Sequence, residues 1–321
     1  MPEIGSLIFF YAETPLHAGS GTGLGAIDLP IQRERMSNLP VVQGSGIKGA
    51  MREQVGPRLP DNPRDTEALF GPEPPKNESG MREKLEATPD EFGGAMSVLD
   101  ARLLLLPVRT VFGGWAWVTS PLILERLTRD LEVVGQSEAT KGWAGLQNRD
   151  DNDAWVSKKK CSVAEKDAVL LEDFQYVARG DDSVDRFGEW LARNALPDTK
   201  GYEPFRARLA EQLVVVTDTE MRFLATHATE VQTRVCIDHN TGTVKRGALW
   251  TEESLPAESV LWSVAFFAKE RSPKKKADTV GPRDAETLKK LFVDAANGLS
   301  RVRLGGDRTT GRGLVGLRVP S

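Results

Sequence analysis

The segment from Pro15 to Glu53 constrains this chain more than any other, because it holds two glycine-rich loops, one acid between them and a short basic helix. In the first loop, four glycines alternate through residues 19–25, directly after a strand pattern at residues 6–13. Glycine lets the backbone approach a ligand closely, so that N–H groups can converge on an anion. No Gly-Lys-Ser/Thr follows, and the dinucleotide fingerprint is absent. The residues alone therefore leave two interpretations open, an anion-binding loop or a mobile surface loop.

Asp28 is a single acid among apolar residues beside that loop. A charge in such a setting must be solvated or paired. One interpretation is a metal ligand or a group that orients a reacting hydroxyl. The other is an ion pair with Arg33 or Arg35, and the spacing alone favours the ion pair.

The second glycine-rich loop opens a predicted helix with Ser45 as its N-cap. Ile47 and Met51 recur four residues apart as an apolar stripe, and Lys48 and Arg52 lie beside them at the same spacing. A helix N-terminus attracts phosphate, and two cations on the first turns strengthen that attraction. A solvated cationic face fits the pattern equally well.

Composition excludes several classes of protein. No apolar run approaches the roughly 20 residues that span a bilayer, and residues 1–10 lack the features of a secretory signal. Cys161 and Cys236 cannot form a disulfide framework or a zinc site, so we expect a reducing cytoplasm. With three histidines in 321 residues, a metal would be held mainly by carboxylates and water, which suits Mg²⁺ or Mn²⁺.

The net charge of −4 is distributed unevenly. Residues 269–321 hold 13 Lys/Arg and 6 Asp/Glu, a net of +7, whereas the preceding residues carry a net of −11. A basic segment on an otherwise acidic protein is typical of phosphate binding, although a solvated tail would produce the same distribution.

The periodicity along the chain predicts an α+β protein in one large domain. It indicates two insertions, at about 57–93 and 135–197, and a β-hairpin at about 229–251. Outside them it predicts strands at 6–13, 96–108, 115–119, 211–217, 259–268 and 314–319, and helices at 121–133 and 283–299. The order of the elements outside the insertions suggests a ferredoxin-like, RRM-type core, which commonly presents a sheet and loops to RNA.

The motifs PLHAGSG, AIDLPIQRE and LPVVQGSGIKGAMRE, in this order, resemble the amino-terminal signature of the RAMP superfamily of CRISPR proteins. The resemblance is strongest to the backbone subunit of the type III-B (Cmr) effector complex. It continues in the LFG motif at residues 69–71, in the run at 94–110 and in the glycine-rich tail at 304–313, and so covers most of the chain.

The resemblance implies that several copies stack along a CRISPR guide RNA beside other effector subunits, and that a projecting hairpin called a thumb wedges into the guide–target duplex. It implies that Asp28 is required for metal-dependent cleavage of the target RNA and holds the divalent ion. His17 and Glu230 are further catalytic candidates. The residues expected to contact RNA lie in the glycine loops and on the basic helix: Gly19, Ser20, Gly21, Ser45, Lys48, Arg52, Gly305, Gly306, Arg308, Gly311 and Arg312.

The chain departs from the family pattern at two positions. Gln232 stands where the family often has a tyrosine, and Gly46 stands where many relatives have a second serine. Two alternatives to a cleaving subunit also stay open. One is a RAMP subunit that binds RNA without cutting it, and the other is a small-molecule enzyme that binds a nucleotide through its glycine loops.

Overall fold

The structure is a computed structural model that describes residues 3–23, 25–73, 92–146, 152–272 and 282–320. The chain forms the following helices and strands: β1 Ile4–Ala12, β2 Val41–Val42, α1 Gly44–Gln54, α2 Arg64–Phe70, β3 Met96–Val98, β4 Ala101–Arg109, β5 Trp115–Thr119, α3 Pro121–Val133, β6 Asp153–Ser157, β7 Ala164–Glu165, β8 Ala168–Leu171, β9 Phe174–Asp181, α4 Asp182–Asn194, α5 Glu203–Glu211, β10 Leu213–Val215, α6 Asp218–His227, β11 Glu230–Ile237, β12 Val244–Ser254, β13 Val260–Phe267, α7 Ala285–Leu299, β14 Arg301–Arg303 and β15 Leu314–Arg318. The predicted α+β class is confirmed.

Thirteen strands form one mixed sheet in the order β14-β15-β1-β13-β4-β5-β10-β6-β9-β8-β7, with β2 and β3 paired to β4 and β13. The pairs next to its β14 end, β15 with β1, β1 with β13 and β13 with β4, are all antiparallel. Along the chain, α1 lies between β1 and β4, and α7 lies between β13 and β15. The pairing of β15 with β1 therefore brings residues from both ends of the chain together near one end of the sheet.

The core is built on β1, which is buried from residue 5 to residue 12 because apolar side chains cover both of its faces. Side chains alternate between the two faces of a strand. On one face Phe9 meets Trp190 of α4 at 5.9 Å between ring centroids, and Tyr11 meets Phe205 of α5 at the same distance. A run of apolar residues without polar alternation is typical of such a central strand.

The sequence predicts an insertion at 135–197 with a helix near 186–194, and α4 confirms that helix, but the prediction includes no strands. The segment forms β6 to β9 and α4, and the strands extend the central sheet beyond β10. The predicted insertion at 57–93 contains α2, and its residues 74–91 lie outside the described residues, as do residues 273–281 of the basic segment at 269–321. No helix in the described ranges is long and apolar enough to cross a membrane.

β11 and β12 form a separate two-stranded sheet, at the position where the sequence predicts a hairpin. Its turn is closed by Asp238, whose carboxylate accepts a hydrogen bond from Asn240 N at 2.8 Å. At the other end, residues 251–254 of β12 turn back into the body of the protein and become increasingly buried. The hairpin therefore joins the domain through one short base.

Candidate active site

The base of the hairpin is the place where the first glycine loop returns to the fold. Leu29 N donates to Thr251 O at 3.0 Å, and Glu253 N donates to Leu29 O at 3.0 Å. Further along the same edge, Leu16 and Leu255 exchange hydrogen bonds of 2.9 and 3.0 Å. The two ends of the loop are thus fixed side by side along β12, which brings His17 and Asp28 to one strand edge.

Asp28 is exposed and is held by Thr251. Its Oδ2 accepts hydrogen bonds from Thr251 N at 2.7 Å and from Thr251 Oγ1 at 2.9 Å, and Asp28 N donates to the same Oγ1 at 2.9 Å. The hydrogen bond from the Thr251 amide, and then that from its hydroxyl, hold the pKa of Asp28 below its ordinary value. The side chain is therefore an ionised carboxylate in a fixed position.

The spacing favours an ion pair of Asp28 with Arg33 or Arg35, and for Arg33 this prediction is wrong. Arg33 instead binds Glu253, with 2.5 Å between Arg33 Nη2 and Glu253 Oε1. The carboxylate of Glu253 is buried, and it also accepts hydrogen bonds from Thr229 Oγ1 at 2.9 Å and Ile31 N at 3.1 Å. This buried acid of β12 connects the loop after Asp28 with Thr229, the residue before β11.

His17 lies on the same edge as Asp28. Its Nδ1 is 2.6 Å from the carbonyl oxygen of Glu253. Because a carbonyl can only accept, Nδ1 carries the hydrogen, and Nε2 of the neutral ring is a proton acceptor. A Cβ at Gly19 would come within 2.6 Å of Nε2, so the glycine leaves room beside this nitrogen. The residues that anchor Asp28 and His17 are two positions apart on β12, a separation of about 7 Å.

The opposite face of the hairpin base surrounds Arg312. The guanidinium of Arg312 is only 5% exposed and lies 2.9 Å from Glu252 Oε1. It donates to Gln232 Oε1 at 2.8 Å and to Ser254 Oγ. The side chain of Arg312 is buried against the hairpin, where an acid and two neutral acceptors bind it. Contact of Arg312 with RNA stays a prediction.

Glu230 belongs to this second face. It pairs in register with Ser254, so its side chain lies on the Arg312 side of the hairpin rather than beside Thr251 and Asp28. Burial raises the pKa of Glu230, while the charge of Arg312 and a backbone hydrogen bond from Ala257 oppose that rise. The structure thus brings Asp28 and His17 to one edge and places Glu230 on the far side of the strand pair.

The basic helix α1 begins at Gly44, one residue before the predicted N-cap. The amide of Gly44 donates to Asp100 Oδ1 at 2.7 Å, so a distant carboxylate caps the helix, and the prediction that Ser45 is the N-cap is wrong. Ser45, Gly46 and Gly49 instead form an exposed face, and a Cβ at either glycine would meet nothing within 4 Å. This surface lets another molecule approach the helix backbone closely.

Two cations border the exposed face of α1. Lys48 is half-buried, and burial, followed by the charges of Arg52 and Arg271, lowers its pKa. Arg52 donates to Gly71 O at 2.5 Å. The positive charges of Lys48, Arg52 and Arg271 repel one another, and a bound anion would reduce that repulsion.

The glycine-rich tail loop lies between α1 and His17. Gly306 N donates to His17 O at 2.8 Å, and a side chain at Gly305 would collide with the same carbonyl. Arg308 reaches α1, where it donates to Glu53 Oε2 at 2.8 Å. Gly311 is exposed with φ +92°, a conformation that favours glycine. The tail loop and α1 therefore form one continuous surface.

In the first glycine loop, Ser20 and Gly21 are exposed. Ser20 donates from its amide at 3.0 Å and from its hydroxyl at 3.1 Å to the carbonyl of Pro30, which closes the loop on itself. Gly21 has φ +96° with open space around it. Contact of these residues with RNA stays a prediction.

The described residues contain no group of three or more His, Cys, Asp or Glu that could hold a metal ion. Asp28 supplies a single carboxylate, and the hydrogen bonds it accepts from described residues go to Oδ2. This donor set fits a Mg²⁺ ion that is bound by one carboxylate, water and substrate phosphates, and it does not fit a cage of protein ligands.

Sequence reasoning missed the residues of β12 that organise the site. Thr251, Glu252 and Glu253 follow one another in a strand, and the two acids are 4% and 2% exposed. Adjacent acids seldom lie buried in a strand unless they are paired. The Thr-Glu-Glu-Ser run at 251–254 was therefore a usable signal, but its partners are remote in sequence.

Comparison with known proteins identifies the family of the chain. A model of the RAMP superfamily matches residues 9–316. The CRISPR system Cmr endoribonuclease Cmr4 of Pyrococcus furiosus is 32% identical over 314 residues, which cover 96% of this chain and 93% of the relative.

Two solved structures share the fold. A crystal structure of oligomeric Cmr4 from Pyrococcus furiosus has a TM-score of 0.69 at 23% identity, over 99% of this chain and 98% of that one. A type III-B Cmr-beta complex bound to cognate target RNA contains a chain with a TM-score of 0.70 at 20% identity, over 98% and 97% of the two chains. With the family model covering nearly its whole length, the chain belongs to the RAMP superfamily.

Proposed function

We propose that this chain is the repeated backbone subunit of a type III-B CRISPR ribonucleoprotein, which binds guide RNA along its phosphate backbone and cleaves complementary target RNA at regular intervals. The relative from Pyrococcus furiosus is named as a Cmr endoribonuclease and is 32% identical over nearly the full length of both chains. The observation that carries the proposal is the fixed, exposed Asp28 carboxylate, which Thr251 holds at the base of a hairpin.

In the proposed reaction, the 2′-oxygen of the target RNA attacks the adjacent phosphorus. The bond from phosphorus to the 5′-oxygen breaks, which leaves a 2′,3′-cyclic phosphate and a 5′-hydroxyl. Asp28 orients the attacking hydroxyl, since a carboxylate whose pKa is lowered is a poor proton acceptor. His17 takes the proton at Nε2, because its Nδ1 is already committed to Glu253 O. The departing oxygen is protonated by water.

A divalent ion, Mg²⁺ or Mn²⁺, would be held at Asp28 together with the RNA phosphates. When bound, it would polarise the reacting phosphate and offset its developing charge. The chain's own contribution is to keep the carboxylate at one place and in its ionised form, which the two hydrogen bonds from Thr251 support.

The hairpin β11–β12 acts as the thumb. Five of its large apolar side chains are at least 44% exposed: Val231, Val235, Ile237, Val244 and Leu249. Val231, Val235 and Leu249 share one face, because Val235 pairs in register with Leu249 and lies four residues from Val231 on the same strand. An exposed apolar surface of this kind is typical of an interaction site. In the proposed complex this face separates target nucleotides, which places a sugar and its phosphate in line for attack beside Asp28.

The guide RNA follows the surface formed by α1 and the tail loop, without sequence readout. Gly46 and Gly49 allow the phosphates close to the backbone, and Lys48 and Arg52 provide charge. The path rests on a ferredoxin-like core made of β1, α1, β4, β13, α7 and β15, an interpretation that the strand order β15-β1-β13-β4 supports.

Copies of the chain stack head to tail with other effector subunits, as a heterologous interface allows. The assembly would work in the cytoplasm, where its RNA substrates are found. The structural relative described as oligomeric supports this self-association.

The test compares complexes that contain wild-type chain or Asp28→Ala, each assembled with partner subunits and a guide RNA, on end-labelled complementary RNA with and without Mg²⁺. Asp173→Ala, at an acid whose side chain is 91% exposed, is the matched control. Regularly spaced products are expected from the wild type and the control alone, with equal target binding in all three. Products that persist in Asp28→Ala would place the chemistry elsewhere, and a wild type that retains no guide RNA would refute the function.

A further inference from the structure

The cluster around Arg312 lies under the hairpin and has no part in the reaction described above. Arg312 reaches it from the tail loop, where Gly311 and Gly313 have φ values of +92° and +70° on either side. Gly313 N donates to Pro15 O at 2.9 Å, and a side chain at Gly313 would collide with the carbonyl of Leu304. The loop backbone is therefore constrained on both sides of Arg312.

Three side chains of the hairpin bind the guanidinium of Arg312: those of Glu252, Gln232 and Ser254. Glu252 and Gln232 are paired in register on the two strands, and Ser254 lies two residues beyond Glu252 on the same face. Arg234 adds a second cation, 3.6 Å from Glu252 Oε2 and 3.9 Å from Asp307 of the tail loop. The planar fork of a guanidinium can satisfy several acceptors at once, which an ammonium cannot do with the same geometry.

β12 has different partners on its two sides. Glu252 and Ser254 point toward Arg312, whereas Thr251 holds Asp28 and Glu253 holds Arg33. Successive side chains of a strand point to opposite faces. Because Thr251 and Glu252 are consecutive residues on the backbone of β12, a displacement of the strand at Glu252 also displaces Thr251. The position of the Asp28 carboxylate is thereby coupled to the tail loop through one strand.

We propose that Arg312 is a positioning residue: by clamping the Glu252 and Ser254 face of β12, it fixes the strand that holds Asp28 in place for cleavage. This inference rests on the proposed function. The glycine-rich tail loop then has a second role besides any contact with RNA, because it sets the orientation of the hairpin relative to the core. Burial of the guanidinium at 5% exposure supports a role through protein contacts.

The test is Arg312→Lys, which keeps the charge and removes the fork. In the assembled complex, single-turnover cleavage at saturating target RNA is expected to slow by about 10²-fold, since small misplacements of a reacting group have effects of that size. Target binding and guide retention are expected to be unchanged. Arg301→Lys is the matched control, because Arg301 also binds a carboxylate, that of Glu13 at 2.7 Å, but outside this cluster.

A second measurement does not depend on activity. Hydrogen exchange of the isolated chain should lose protection within residues 230–254 in Arg312→Lys, with the sheet unaffected. Equal losses across the whole chain would indicate a general structural role and overturn the proposal, as would unchanged exchange and unchanged cleavage. If the wild-type complex does not cleave RNA, the proposed function fails, whereas the exchange result still decides whether Arg312 clamps the hairpin.

Gln232→Met provides a milder variant if Arg312→Lys fails to assemble. It removes the 2.8 Å hydrogen bond to Arg312 and leaves the ion pair with Glu252 in place. The expected result is cleavage slowed by about tenfold and a local loss of protection at the hairpin base, in line with a barrier change of about 1.4 kcal/mol. Wild-type values in both measurements would contradict the proposal.

Discussion

The carboxylate of Asp28 and the backbone amide of Thr251 are joined by a 2.7 Å hydrogen bond, which fixes an exposed acid to the base of the hairpin. The hydroxyl of Thr251 donates a second hydrogen bond to Asp28 Oδ2 and accepts a hydrogen bond from the backbone amide of Asp28. One threonine thus determines both the position and the ionisation of the acid.

Thr251→Val should therefore slow target cleavage with target binding unchanged. Valine keeps the branched shape but removes the hydroxyl, so the carboxylate retains one of its two bonds and its pKa moves back toward the ordinary value. We expect a decrease of about tenfold in the single-turnover rate, which corresponds to about 1.4 kcal/mol. Thr251→Ser, which keeps the hydroxyl, should stay near the wild-type rate. Equal rates in the two variants would show that the hydroxyl has no role.

Prediction from sequence succeeds where one stretch of chain determines its own structure. The strands around residues 6–13, 115–119 and 259–268 and the helix at 121–133 follow from apolar periodicity, because each is buried along its length or on one face. The insertion at 135–197 could not be read in this way. Its strands β7 and β8 have two and four residues, too few for a period to emerge.

In the candidate site, too, residues with a local sequence signal could be predicted, whereas their partners from distant parts of the chain could not. Asp28 could be singled out from its local sequence and the family resemblance, whereas its partner Thr251 is 223 residues away. From the sequence, Arg312 resembles an RNA-binding residue in a basic loop. Only the fold shows that its guanidinium binds Glu252 and Gln232 of the hairpin. The cap of α1 is likewise remote, since Asp100 replaces the local Ser45.

Glu258 should make stability depend on pH. It occupies a turn with φ +73°, and its Oε2 is buried without a hydrogen-bond partner among the described residues. Burial raises the pKa of Glu258 to about 7. Between its ordinary pKa and about 7, the folded chain holds a proton that the unfolded chain has lost, so the free energy of unfolding falls as the pH rises through this window.

Glu258→Gln should remove this decrease in the free energy of unfolding, because the glutamine side chain stays neutral at every pH. We expect the variant to be more stable than the wild type by about 1 kcal/mol at pH 8, a value reduced for the partial exposure of the carboxyl, and equally stable at about pH 4, below the ordinary pKa of the carboxyl. Urea denaturation at both pH values measures this difference. Glu125→Gln, at an exposed position on α3, is the control and should change neither value. An equal gain at both pH values would exclude the protonation of Glu258 as its cause.

Lys48 should contribute to guide RNA binding through charge alone. Burial and two neighbouring arginines lower its pKa, so a phosphate would relieve a crowded positive cluster. Lys48→Ala should weaken binding of guide RNA to the purified chain and reduce the slope of log K against log salt by about 0.7, the value for one phosphate contact on a single strand. Lys159→Ala serves as the control, because Lys159 is already paired with Glu189 at 2.9 Å. The same slope in Lys48→Ala and wild type would remove α1 from the RNA path.

Removal of divalent metal should abolish cleavage without destabilising the chain. Within the described ranges no three carboxylate, histidine or cysteine side chains converge, so the fold has no internal cage that a metal would stabilise. A chelator added to the assembled complex should therefore eliminate the regularly spaced products, while the melting temperature of the isolated chain changes by less than about 1 °C, because ligand binding stabilises only the state that it occupies. Added Mg²⁺ should restore cleavage in the wild type but not in Asp28→Ala. Cleavage that continues in the chelator would leave Asp28 and His17 to act without a metal, and a large fall in melting temperature would reveal a structural metal site.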